Sequence, residues 1–273
     1  MSNEINVGHI KLGGSLPVRL QSMTNTSTLD VQATVEQCLA IANAGADLVR
    51  ITAQGLREAE ALQHIRQMLR NKGCSVPLVA DIHFNPAAAE VAAQHVEKVR
   101  INPGNFVDRG SATDEPTMLR EKFVHLIKLC KAHHTALRVG VNHGSLSARM
   151  TAKFGDTPHG MVESAMEFLR ICCDEKFRNV VVSMKSSNTR VMVYATRLLA
   201  LRMACEGMGF PLHLGVTEAG EGEDGRIKSA VGIGSLLAEG LGDTIRVSLT
   251  EDPQNEIPVA KQLVEYIASP RIA

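Results

Sequence analysis

Tryptophan is absent from this chain, and phenylalanine and tyrosine are so few that aromatic residues make up 3% of the composition. A surface that stacks unpaired bases needs such rings, so a single-strand nucleic-acid platform is not expected. Charge of one sign is also lacking. The 29 Lys and Arg balance 29 Asp and Glu, leaving no overall field to draw in a phosphate backbone. No run reaches the roughly 18 apolar residues of a membrane span, and Met1–Ile10 contains polar residues throughout and lacks the apolar run of a signal peptide. These absences predict a cytoplasmic protein with neither nucleic acid nor membrane as partner. The six cysteines, Cys38, Cys74, Cys130, Cys172, Cys173 and Cys205, form no C-x-x-C pair. They read as reduced structural residues rather than ligands of zinc or an iron–sulfur cluster.

What the chain does have is alternation. Short β-type apolar runs recur at Val18–Met23, Leu48–Thr52, Pro77–Ile82, Lys98–Asn102, Ala136–Asn142, Asn179–Lys185, Leu212–Glu218 and Thr244–Leu249, each followed by a helix-forming segment. Asp30 is placed to start a helix over Val31–Ala44, and Asn188 one running to about Gly207. Eight such units in 273 residues predict a parallel sheet closed on itself, a single-domain α/β protein of the (β/α)8 TIM-barrel class. The two longest interruptions, Pro103–Pro116 and His143–Pro158, follow strands at their C-terminal ends, the end where barrels of this class carry their sites. The tail from Ser269 to Ala273 begins no further domain and reads as a cut edge.

Side chains alternate across a strand. In Leu48-Val49-Arg50-Ile51-Thr52 the β-branched residues suit the helix side, which leaves Arg50 and Thr52 facing inward. The same reading turns Arg100 and Asn102, Arg138 and Asn142, and Arg246 and Ser248 inward, and the sixth strand adds Lys185. Five cations inside a barrel demand anionic partners, because guanidinium groups do not shed their charge. Asp81 and Glu218 are the chief acids on the same strand ends. They are too few, and a phosphorylated small molecule matches the forked geometry of arginine.

Other residues carry weaker signals. His83 and His143 stand at strand ends, where a structural hydrogen-bonding role competes with acid–base or metal-binding roles. Gly232-Ile233-Gly234-Ser235 fits close helix packing or a phosphate-binding helix start. Glu218, within Gly215-Val216-Thr217-Glu218-Ala219-Gly220, is placed either to exchange a proton with substrate or to orient an arginine.

These same segments carry a resemblance. Gln21-Ser22-Met23-Thr24-Asn25-Thr26, Asp47-Leu48-Val49-Arg50-Ile51-Thr52, Ala80-Asp81-Ile82-His83-Phe84, Val99-Arg100-Ile101-Asn102-Pro103-Gly104-Asn105, Gly140-Val141-Asn142-His143-Gly144-Ser145-Leu146 and Val216-Thr217-Glu218-Ala219-Gly220 together resemble the 4-hydroxy-3-methylbut-2-enyl diphosphate synthase family over nearly the whole chain. That resemblance implies an oxidoreductase of non-mevalonate isoprenoid biosynthesis, which reductively opens 2-C-methyl-D-erythritol 2,4-cyclodiphosphate with loss of water. It assigns Arg50, Arg100, Arg138, Asn142, Lys185, Arg246 and Ser248 to the diphosphate, Thr217 and Glu218 to the hydroxyl-bearing carbons, and catalysis to Glu218. The family's [4Fe–4S] cluster is held by three cysteines and a glutamate in a C-terminal domain, a constellation this sequence does not show. The chain therefore reads as the barrel portion, inactive alone, with ferredoxin or flavodoxin as electron donor to the whole enzyme and a homodimer left open. The stretches Lys153-Phe154-Gly155-Asp156-Thr157-Pro158 and Met184-Lys185-Ser186-Ser187-Asn188 resemble the three-domain form of plants, chlamydiae and Bacteroides-like bacteria.

Two rival readings remain at this level. Asp81, Asn102, Lys185 and Arg246-Val247-Ser248 also fall where pterin-binding barrels of the dihydropteroate synthase or methyltransferase type keep comparable groups. Five interior cations exceed what a neutral pterin needs. A non-catalytic docking scaffold predicts no affinity for small anions.

Overall fold

The computed structural model describes residues 1–82, 85–106 and 115–268. Runs of four to eight apolar, β-branched residues are too short for a helix face but suit a strand buried on both sides. They form the barrel strands β3 (Arg19–Met23), β4 (Leu48–Ala53), β5 (Leu78–Ile82), β6 (Lys98–Ile101), β7 (Ala136–Asn142), β8 (Val180–Lys185), β9 (His213–Leu214) and β10 (Thr244–Ile245). All pair in parallel, in the order β8-β7-β6-β5-β4-β3-β10-β9. A parallel bridge between Val182 and Leu212 closes the ring.

Around it lie α1 (Val31–Asn43), α2 (Leu56–Asn71), α3 (Pro86–Ala92), α4 (Glu115–Ala132), α5 (Ala148–Phe154), α6 (Pro158–Asp174), α7 (Thr189–Cys205), α8 (Gly222–Leu237) and α9 (Glu256–Ala268). Capping fixes several starts. The Asp30 carboxylate accepts from the Ala33 N–H, and the Asn188 side chain accepts from the N–H groups of Arg190 and Val191. Outward-facing Val49, Ile51, Val99, Ile101, Val139 and Val182 pack into the apolar shell between strands and helices. Each such burial stabilises the fold by roughly 1.5–3 kcal/mol.

The structure corrects or refines the sequence reading at four places. The N-terminal lead is an antiparallel hairpin, β1 (Ile5–Val7) with β2 (Ile10–Leu12), turning at Gly8, whose φ of 60° suits a two-residue loop. Its Ile5, Val7 and Leu12 plug the N-terminal end of the barrel against Leu48, Val79, Ala136 and Val181. The last two strands are shorter than Leu212–Glu218 and Thr244–Leu249. Beyond Leu214 the chain climbs beside its neighbours through single bonds, Arg246 N–H to the Leu214 carbonyl and Thr217 N–H to the Ser186 carbonyl. It turns away at Glu218, whose φ is 51°. Next, the interruption His143–Pro158 contains α5, started by the Ser147 side chain accepting from the Met150 N–H. Finally, Gly232–Ser235 lies deep within α8, so the phosphate-binding helix start is excluded. A Cβ on Gly232 would sit 2.7 Å from Val216 Cγ2 and 2.9 Å from Met192 Cε, which makes the glycine a packing requirement.

Candidate functional site

An eight-stranded barrel stacks its interior side chains in tiers of four, drawn from alternate strands. Following the strand registers, Leu48, Lys98, Val181 and Thr244 form the lowest tier above the hairpin plug. Gln21, Val79, Arg138 and His213 form the second, and Arg50, Arg100, Ser183 and Arg246 the third. The fourth is Met23, Asp81, Gly140 and Gly215. Thr52, Asn102, Lys185 and Ser248 stand at the C-terminal mouth, with Asn142 and Thr217 above them. An interior of this kind usually holds branched apolar residues; here most positions are polar.

The two glycines of the fourth tier make space. A Cβ on Gly140 would lie 2.6 Å from Arg100 Nε and 3.2 Å from Ser183 Oγ, and one on Gly215 would lie 3.0 Å from Lys185 Nζ. Both positions therefore have to be bare for the cations to lie across them.

Asp81, buried at the centre, is shared by three guanidinium groups. Arg100 Nη1 donates to its Oδ1 at 3.2 Å, Arg50 Nε lies 3.6 Å from its Oδ2, and Arg138 Nη2 lies 3.8 Å from Oδ1. Arg100 also donates to the Gly140 carbonyl and to Asn142 Oδ1, while Arg50 points Nε and Nη2 at the Met23 sulfur. Asn102 donates to Ser145 Oγ, which ties strand β6 to the loop after β7. Lys185 has no ion-pair or hydrogen-bond partner for its ammonium among the described residues.

Arg246 is held differently. Its Nε and Nη2 donate to the two oxygens of Glu256 at 3.0 and 2.8 Å, and Ser22 Oγ donates to the same carboxylate at 2.7 Å. Glu256 is 1% exposed and comes from the first turn of α9. Alternation within strands gives no hint of it, and it replaces Glu218 as the second acid facing the cations. Glu256→Gln is expected to destabilise the free chain by about 1–3 kcal/mol, since it leaves a part-buried guanidinium uncompensated. Urea unfolding measures this, and an unchanged midpoint would show that the pair is not formed in solution.

Thus six cations, Arg50, Lys98, Arg100, Arg138, Lys185 and Arg246, face two carboxylates, Asp81 and Glu256, within the described interior. Lys98 is the addition to the five read from sequence. The same alternation that turns Arg100 and Asn102 inward applies to it. Burial pushes the Arg50 guanidinium down to about 10, with Asp81 opposing and Arg246 and Arg100 reinforcing the shift. Burial likewise pushes Arg138 and Lys185 well below their ordinary values, helped by neighbouring arginines. A guanidinium does not lose its proton under this pressure; a bound anion relieves it.

At the mouth, Asn142, His143, Lys185, Thr217 and Glu218 line a pocket of about 220 Å³. Thr217 Oγ1 is buried without a hydrogen-bond partner. Glu218 is exposed, and its left-handed backbone is uncommon for a residue with a Cβ. Such strain, of order 1 kcal/mol, is typically kept at functional positions. His143 Nε2 lies 3.7 Å from Asp156 Oδ2, a pairing partner on the loop after α5. His83 lies outside the described residues.

A family model, the GcpE TIM-barrel domain, matches residues 2–261. The chain belongs to the GcpE TIM-barrel family. This GcpE barrel is 60% identical to a Bacteroides fragilis protein named 4-hydroxy-3-methylbut-2-en-1-yl diphosphate synthase (flavodoxin), over 99% of the chain and 45% of that protein. It is 53% identical to the protein of the same name from Protochlamydia amoebophila, over 97% of the chain and 42% of that protein. The chain thus spans less than half the length of the curated relatives it matches. Among solved structures it is similar to the N-acetylneuraminic acid synthetase of Leptospira borgpetersenii, with TM-score 0.60, 13% identity and coverage of 100% of this chain and 93% of that one. A dihydropteroate synthase of Xanthomonas albilineans gives TM-score 0.58 and 14% identity, covering 99% and 100%. At such identities these likenesses show the barrel fold alone, so the pterin-binding alternative gains nothing from them.

The described residues do not fit an iron–sulfur cluster. Among the described residues no group of three or more His, Cys, Asp or Glu side chains is arranged to hold a metal. Cys38 and Cys130 are buried, and burial pushes both thiols up to about 12, far from the thiolate form that clusters require.

Proposed function

We propose that this barrel is the substrate-binding part of a 4-hydroxy-3-methylbut-2-enyl diphosphate synthase, and that its mouth holds 2-C-methyl-D-erythritol 2,4-cyclodiphosphate. The observation that carries the reading is the excess of interior cations over carboxylates, concentrated in the tiers below a polar mouth. A cyclic diphosphate supplies the missing negative charge in a compact form, and its oxygens suit Arg50, Arg100, Arg138, Arg246 and Lys185, with Asn142 and Ser248 as uncharged donors. Thr217 and Glu218, which line the same pocket, then take the carbons that bear hydroxyl groups. In this reading Arg246 arrives already aimed, because Glu256 and Ser22 fix its plane. Such preorganisation lowers the ordering cost on binding.

Reductive opening of the ring needs electrons that these residues do not carry. The whole enzyme is proposed to bring a [4Fe–4S] cluster on chain beyond this barrel, with an inserted domain between them, and to draw its electrons from flavodoxin, the donor named for the relatives.

Titration calorimetry with three ligands tests the binding claim. The cyclic diphosphate is expected to bind the chain, and a pterin is not. Preferential binding of the pterin would favour the dihydropteroate synthase reading, and no binding of either would favour a scaffold. The chain is also expected to bind the cyclic diphosphate without reducing it. Turnover by an iron-free preparation would contradict that.

A further inference from the structure

Beneath the mouth, the two lowest tiers hold a cluster of polar groups of which the proposed substrate engages only Arg138. Lys98 is 0% exposed, and its ammonium has no hydrogen-bond partner. Thr244 Oγ1 in the same tier is also unpartnered, as are both amide atoms of Gln21, both ring nitrogens of His213, and Nε and Nη1 of Arg138 in the tier above. All five residues are at most 1% exposed. Leaving a buried polar group without a partner costs about 1–3 kcal/mol, and more for a charged one, so a cluster of this size calls for an occupant, water or ligand.

The chemistry of the cluster selects the ligand. Ammonium, guanidinium, amide NH2, hydroxyl and imidazole N–H are mainly donors, and two of the groups carry positive charge. Asp81 sits two tiers above Arg138 and reaches one edge of it, Nη2, at 3.8 Å. The charges that act on Lys98 are those of Arg138 and Arg50, and both disfavour its ammonium form. Water satisfies hydrogen bonds but leaves two neighbouring cations unbalanced in a closed, low-dielectric space. The remaining places in these tiers belong to Leu48, Val181 and Val79, packed against the hairpin plug; closely packed tiers of side chains favour a compact ion over a phosphate.

We propose that the barrel contains a second anion site, below the diphosphate site and sharing only Arg138 with it, which binds a halide between Lys98, Arg138, Gln21, His213 and Thr244. Burial drives Lys98 and His213 toward their neutral forms, reinforced by the surrounding cations. A halide opposes that drive at Lys98 and keeps the ammonium as a donor. The site therefore acts as a fixed counter-charge that lets the cations above stay close together while awaiting substrate.

The test is crystallography of the chain grown in bromide, with data collected at the bromine absorption edge. An anomalous peak is expected inside the barrel within hydrogen-bond reach of Lys98 Nζ and Arg138, and it should persist when the cyclic diphosphate is added. In Lys98→Met, which keeps the length and removes the donor, the peak should vanish. Thermal unfolding gives a second reading: chloride should raise the Tm of the wild type more than gluconate at equal ionic strength, and that difference should be lost in Lys98→Met. Absence of an interior peak in the wild type would overturn the proposal. So would a peak confined to Arg50, Arg246 and Lys185 and displaced by the diphosphate, which would instead mark the mouth site. Because the wild-type crystal decides the matter, failure of the variant to fold does not blunt the test, and the outcome is independent of whether the diphosphate binds.

Discussion

Glu218→Gln is expected to lower turnover of the full-length enzyme by roughly 10²–10⁴-fold while leaving affinity for the cyclic diphosphate nearly unchanged. Glutamine keeps the shape and hydrogen-bonding capacity of the side chain but cannot hand over a proton. Loss of a hydroxyl group from the opened ring is slow unless the leaving oxygen is protonated or otherwise stabilised. Glu218 lines the mouth pocket with Lys185 and Thr217 and stands outside the guanidinium tiers, so the charge that holds the phosphates does not depend on it. Its left-handed backbone, uncommon for a residue with a Cβ, is the kind of strain kept at functional positions. Separate measurement of kcat and of binding decides the role. A loss confined to binding would make Glu218 a positioning residue, and normal turnover would remove it from the chemistry altogether.

Arg50→Ala is expected to weaken binding of the cyclic diphosphate by about 2–4 kcal/mol, read by calorimetry. Arg50 sits in the third tier with its guanidinium against the Met23 sulfur and 3.6 Å from a carboxylate that Arg100 and Arg138 share. It is therefore poorly compensated in the free chain. Removing it takes away one phosphate donor but also relieves repulsion among the remaining cations. The shape-preserving Arg50→Met should consequently bind the diphosphate as weakly as the alanine variant, yet unfold at a urea concentration no lower than the wild type. A large loss of stability in Arg50→Met would show instead that the Arg50–Asp81 pair holds the fold together.

Period-two alternation is legible wherever a strand is long enough to show it. Arg50, Arg100 and Arg138 lie between branched apolar neighbours in strands of four to seven residues, and that flanking assigns their side of the sheet. Arg246 follows a two-residue strand, yet Ile245 and Val247 on either side carry the same signal. Strand ends were not legible. β9 stops at Leu214 because pairing with both neighbours there falls to single bonds, a tertiary event with no local sequence mark. The hairpin at Ile5–Leu12 escaped notice because its strands have three residues each. Lys98, His213 and Thr244 were within reach of the alternation rule, which extends downward from Arg100, Gly215 and Arg246 to the lower tiers. Glu256 was not, since its role arises from a helix start that folds back over β3 and β10, ten residues beyond the arginine it holds.

The central claim is that the interior cations exist to hold a cyclic diphosphate at the barrel mouth. A crystal structure of this chain soaked with 2-C-methyl-D-erythritol 2,4-cyclodiphosphate tests it most directly. The account predicts both phosphates inside the mouth, with oxygens in hydrogen-bond contact with Arg50, Arg246 and Lys185 and the carbon skeleton facing Thr217 and Glu218. Phosphates seated elsewhere on the molecule, or a mouth whose arginines keep only Asp81 and Glu256 as partners at saturating ligand, would contradict it.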